Sequence, residues 1–435
     1  MNPKTNTEFF VNPSRLNYSL DLYKLSKNDL IKLLNSDRKR NVLTLEKLNK
    51  ILNREESVNK SFLNKFARIF GTGLTWLLSK RELPERKTSS IFFRKDSFNS
   101  YLNLESKKRI AYYEELKSEL EILCKQIDFK PKMVFGNYKL SDNPENAAKD
   151  LRKKFDDAEK QMFNKKYISK ANSDRDYLIN LIRVLEHFNL FVFEFTDRNR
   201  KPEKIIKFDG FFMLPHIIVL KRQQKYIRRE IWTLLHEFAH YLLKIEEIDE
   251  NTEITNSGAH VEKWCNHFTY SFLINGFERE FSGLIYASKG NNYYKSEIGE
   301  LYKKTHLSEF ALYTRLKTEN KISESDYNQI KEEITENIRK KEEKEKIKPE
   351  EKEKIKPEEK EKIKTREKEK IKPEEKKSSS MQLGKDVFIS GPKEIRSKLF
   401  EEIIKINFFE GNIDENRLRQ YLGIKLEQDI DDKIY

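Results

Sequence analysis

The run Ile231-Trp232-Thr233-Leu234-Leu235-His236-Glu237-Phe238-Ala239-His240-Tyr241-Leu242-Leu243 constrains the fold most, because as a helix it is apolar on nearly every face. Such a helix has no solvent side and must be covered all round. His236 and His240 stand four apart, so both imidazoles project from one flank and can share a cation at roughly 2.0–2.1 Å. Glu237 lies beside them, offset enough to stay off the ion and to accept a proton from a water, the general-base position of a zinc hydrolase. The pattern is short and also arises by chance or from structural histidines. Its apolar setting argues for the metal, since three buried polar groups need something to satisfy them.

The flanking sequence supplies cover. Tyr177 to Asn189 reads as a helix and Leu190 to Phe195 alternates as a strand; Ile205 to Leu214 and His216 to Leu220 read as strands joined through Pro215. A helix from about Tyr226 to Ile245 follows. The expectation is α+β: a small sheet packed on the helix that carries the chemistry. Asn143-Pro144-Glu145-Asn146 opens a further helix over Ala147 to Phe163. Leu102 to Gln126 reads as one long amphipathic helix, a spacer or a packing element.

Residues 1–88 hold short apolar-periodic segments, Asp29 to Leu34, Leu45 to Leu52 and Phe62 to Phe70, which predict an all-helical domain. Residues 89–135 form a linker helix region, 136–335 the domain with the histidine pair, 336–380 a charged low-complexity linker and 381–435 a helical segment. Ile395 to Asn407 and Asn416 to Leu422 are its helices. Within the linker, residues 343–374 are four eight-residue units, three of them EKEKIKPE. Eight is not a coiled-coil repeat and the prolines interrupt helices, which predicts an extended or transiently helical tether.

With 37% hydrophobic residues, the 435-residue chain can build a core in only part of its length. The net charge is +14, and the first hundred residues hold 20 Lys and Arg against 10 Asp and Glu. That excess permits DNA, an anionic surface or an acidic protein as partner. Cys124 and Cys265 alone do not make a disulfide framework, which fits a reducing compartment. No stretch approaches the roughly 18 apolar residues of a membrane span. A soluble, cytoplasmic protein without membrane partners is expected.

A catalytic zinc takes three protein ligands and leaves a position for water. The third could come from the acidic loop with Glu246, Glu247, Asp249, Glu250 and Glu253, from His260 or His267, or from Glu262. The loop follows the helix too closely to fold back with ease. Glu262 opens a second predicted helix, Val261 to Phe272, whose antiparallel return would aim it at the histidine pair. His260 and His267 could bind the ion or hydrogen-bond the transition state, against a plainer structural role, and Cys265 fits packing better than ligation.

From Ala147 onward the chain resembles the ImmA/IrrE family of zinc metallo-endopeptidases. The likeness runs through Asn146-Ala147-Ala148 with Leu151-Arg152, Val184-Leu185-Glu186, Gly210-Phe211-Phe212, Pro215 with Ile217 to Leu220, Arg228-Arg229, the His236 segment, and Glu262 with Cys265-Asn266 and Phe268. It departs at Ala239, Lys244 and Cys265, where the family usually has Gly, often a third His, and Ala. The resemblance implies a zincin-like fold, one Zn2+ held by His236, His240 and Glu262, and Glu237 as base; beside it, His260, Asn266 and His267 are the candidates for contacting the transition state or backing the ligands. It also implies cleavage of a specific intracellular protein such as a transcriptional repressor. Phe66 to Gly71, Leu74 to Leu78 and Ile91 to Arg94 are similar to the end of a phage-repressor-type helix-turn-helix and its link, in degenerate form, so DNA is a further candidate partner. The rival readings are a DNA-binding or sensor protein with an inert protease-like domain, and a toxin or defence effector using the same zinc chemistry.

Deleting residues 343–374 is expected to leave peptidase activity at the full-length level in a cleavage assay. A large loss would mean that the repeat holds substrate.

Overall fold

The computed structural model describes residues 8–36, 42–83, 102–131, 134–163, 173–197, 199, 201–222, 226–246, 259–353 and 397–431. The first body comprises α1 (Pro13–Leu22), α2 (Lys27–Asn35), α3 (Leu45–Leu52), α4 (Lys60–Phe70) and a 3-10 turn at Trp76–Leu78. Asn12, Ser26, Thr44 and Asn59 each accept a hydrogen bond from the first turn they precede, meeting donors a helix start leaves orphaned. Gly71, at φ 67°, ends α4. Leu16, Leu30, Leu48, Phe66 and Leu77 close a separate core. Helix α1 escaped the sequence reading because its buried face carries Arg15 and Ser19. Arg15 donates to the Arg81 and Glu82 carbonyls and lies over the Trp76 ring.

The rest of the described chain runs α5 (Leu104–Gln126), α6 (Pro144–Phe163), α7 (Asp174–His187), β1 (Phe191–Thr196), β2 (Gly210–Met213), β3 (Ile217–Arg222), α8 (Ile227–Leu243) and α9 (Ala259–Ile274). It continues with α10 (Glu278–Ser282), α11 (Lys295–Lys304), α12 (Glu309–Thr318), α13 (Glu324–Glu353), α14 (Lys398–Phe409) and α15 (Glu415–Leu422). The three strands lie in the order β1-β3-β2, with β1 parallel and β2 antiparallel to β3. The architecture is α+β.

Both faces of the sheet are covered, as the aromatic richness of β1 requires. Val192, Phe212, Ile218 and Leu220 face α8 and the core it shares with α6, α7, α9, α11 and α12. Phe191, Phe193, Phe195, Phe211, Met213 and Val219 face a second core closed by α5, α14 and α15. Helix α5 therefore packs as a layer. The Phe400 ring sits 5.4 Å from that of Phe193, and Asn407 Nδ2 donates to the Leu123 carbonyl at 3.1 Å. Among the described residues, no helix is long and apolar enough to cross a membrane.

Two expectations need correction. The strand expected over Ile205 to Leu214 is only Gly210–Met213, because side chains meet the preceding amides: Ile206 N donates to Asp197 Oδ2 and Lys207 N to Ser106 Oγ. The first repeat unit, expected to be extended or transiently helical, lies in α13, which continues past Pro349 to Glu353 of the second unit. Proline removes one amide donor and crowds the carbonyl a turn before it, but the Glu and Lys on either side are good helix formers. The repeat from residue 354 onward lies outside the described residues, as does Ile91 to Arg94.

The C-terminal segment is anchored by a buried carboxyl. Glu186 on α7 accepts from Ser397, the N-cap of α14, and from the Lys398 amide. Burial nevertheless pushes it from 4.5 up to about 7. Between those values the folded chain holds one more proton than the unfolded chain. Its contribution is therefore full below pH 4.5 and lost as pH rises toward 7, worth on the order of 3 kcal/mol. Glu186→Gln should gain stability relative to wild type as pH rises from 5 to 8 in urea unfolding. A constant difference between the two proteins would exclude Glu186 as the titrating group.

Candidate metal centre

Helix α8 is buried from Glu230 to Leu243, apart from Trp232, which is partly exposed. Its first turn is pinned by charge. Arg228 Nε donates to Asp174 Oδ2 at 2.8 Å and its NH1 to the Tyr302 and Leu307 carbonyls at 2.6 Å each, while Arg229 pairs with Asp209. At the other end Lys244 takes a left-handed conformation, and Glu246 Oε1 accepts from the Leu214 amide of the β2–β3 turn.

One flank of α8 faces α9, and there His236, His240 and Glu262 converge. The two Nε2 atoms are 3.1 Å apart; His236 Nε2 is 3.1 Å from Glu262 Oε2, and His240 Nε2 is 3.3 Å from Glu262 Oε1. Among the described residues this is the one group of three His, Cys, Asp or Glu side chains able to hold a metal ion. A tetrahedral ion with bonds of roughly 2.0–2.1 Å spaces its ligand atoms about 3.3–3.4 Å apart, so the triangle fits such an ion with little movement. Burial acts to raise the Glu262 pKa, but hydrogen bonds and charge from both imidazoles outweigh it and hold the carboxyl well below the usual range. His240 Nδ1 is buried without a partner among the described residues, so the groups at Nε2 set its tautomer. Glu262 keeps 18% side-chain exposure against 3% for His236 and none for His240, so it stands on the open side of the cluster.

Glu237 is fully buried on the flank of α8 toward β2, where its Cγ borders Gly210. It stays off the ligand triangle while adjoining it in sequence. The other expected residues divide. Asn266 is exposed one turn after Glu262, on the same face of α9. His260 is exposed two residues before Glu262 and so turns away from it. His267 accepts from Arg315 NH2 at 2.9 Å, and burial together with that guanidinium lowers its pKa, leaving a neutral ring outside the cluster. Cys265 is buried in the core between the helices. Glu247, Asp249, Glu250 and Glu253 lie outside the described residues. Sequence reasoning missed Thr233 and Gly210, whose close approach sets α8 on the sheet; a glycine opening a strand was the only signal.

The chain is expected to bind one divalent cation, tested with Zn2+ by metal analysis and chelator competition. His236→Ala and His240→Ala should lose it, Glu262→Ala should weaken it by about 100-fold, and His260→Ala and His267→Ala should leave it unchanged. Wild-type affinity in Glu262→Ala would remove that residue from the centre. The chain matches no protein-family model, no curated protein and no solved structure, so the geometry itself carries the functional reading.

Proposed function

We propose that this chain is a cytoplasmic zinc-dependent endopeptidase of zincin-like fold, allied to the ImmA/IrrE family, that cuts a specific regulatory protein such as a repressor. The observation that carries the reading is a ligand triangle of 3.1–3.3 Å edges beside a fully buried glutamate. Two imidazoles, one carboxylate and an open side are the donor set of catalytic zinc, whereas structural zinc is closed by a fourth protein ligand. Buried polar groups of this density are costly without a cation between them.

His236, His240 and Glu262 would hold the ion, which when bound supplies Lewis acidity toward a peptide carbonyl and a water. Glu237 would take the proton of the attacking water and return it to the departing amine. Burial of Glu237 keeps bulk water from competing for that proton. The +10 excess of the first hundred residues supports a recruiting role for the N-terminal body, toward DNA or an acidic protein.

Glu237→Gln should keep its zinc yet lose at least about 100-fold in turnover, read by mass spectrometry of a proteome-derived peptide library. Equal cleavage by the two proteins would rule out Glu237 as the base; zinc binding and salt-steep DNA binding without cleavage by the wild type would favour the inert-domain reading.

A further inference from the structure

Gly210, the first residue of β2, is the point at which α8 rests on the sheet. A β-carbon built there would lie 2.6 Å from Thr233 Cγ2, 3.1 Å from the Val219 carbonyl oxygen and 3.2 Å from Glu237 Cγ. Carbon atoms in contact sit about 3.5–4.0 Å apart, so the first distance is a clash and the third is tight. Two of these walls yield poorly: Val219 belongs to the central strand, and Thr233 is β-branched and buried on a helix that restricts its χ1. Gly210 does not have positive φ, so the position needs glycine for space and not for backbone conformation.

Thr233 and Glu237 are one turn apart on the sheet flank of α8, and the ligand histidines face α9. A push at Gly210 therefore reaches the base before it reaches the ion. We infer that Gly210 is a positioning residue: its missing side chain lets α8 lie against β2 at the separation that places the Glu237 carboxylate. What Glu237 does once placed rests on the proposed peptidase reading; the placement does not.

The test compares the full-length wild type with Gly210→Ala, Thr233→Ser and the double variant, in which the clashing Cγ2 is gone. Crystal structures read the placement directly: Glu237 should move away from β2 in Gly210→Ala and return most of the way in the double variant. Gly210→Ala should keep one zinc per chain and a near wild-type KM, with kcat lower by about 10- to 100-fold. The double variant should recover most of that loss relative to Thr233→Ser. An unmoved Glu237, an unchanged kcat in an active enzyme, or zinc lost from a folded Gly210→Ala would overturn the inference. Should Gly210→Ala fail to fold, a folded, zinc-binding double variant supports the contact and a double variant that also fails overturns it. A wild type that cuts nothing, with Glu237 displaced as expected in Gly210→Ala, sinks the peptidase reading and leaves the placement standing.

Discussion

Burying α8 on every side is the constraint from which the rest of the structure follows. A helix apolar all round gains from removal of every face from water, at about 25 cal/mol for each Å² of apolar surface, but only if cover is found for each. The sheet gives one face, α7 another and α9 a third, and the cover from α9 brings Glu262 to the histidine pair. The cluster thus follows from ordinary packing of α9 against α8.

Much of this was legible because it is local. The spacing of His236 and His240 fixes their shared flank, and Glu262 opens the next described helix, which packs against α8 and brings it in. The alternation of β1 was legible for the same reason. What stayed hidden depends on distant partners. Asn407 reaches the Leu123 carbonyl across 284 residues, and His267 meets Arg315 across 48, distances over which periodicity says nothing. Strand β2 begins late because Asp197 and Ser106 claim the amides before it, and helix α1 was masked by an arginine on its buried face.

The back of the sheet shows what the C-terminal segment contributes. Phe191, Phe193 and Phe195 would present a broad aromatic surface to water if α5 alone covered them. Phe400, Ile403 and Ile404 complete that layer, although they follow the charged repeat in sequence.

The two flanks of α8 divide the chemistry, and their charges have to be considered together. His236 and His240 would bind a metal as neutral imidazoles, so Glu262 is the carboxylate that the cluster itself offers to offset a cation's charge. A cation held there would lie on the α9 flank of α8 and Glu237 on the β2 flank, so Glu237 need not become a ligand. Under the proposed peptidase reading, a carboxylate that adjoins the cluster in sequence without being a ligand can serve as the general base.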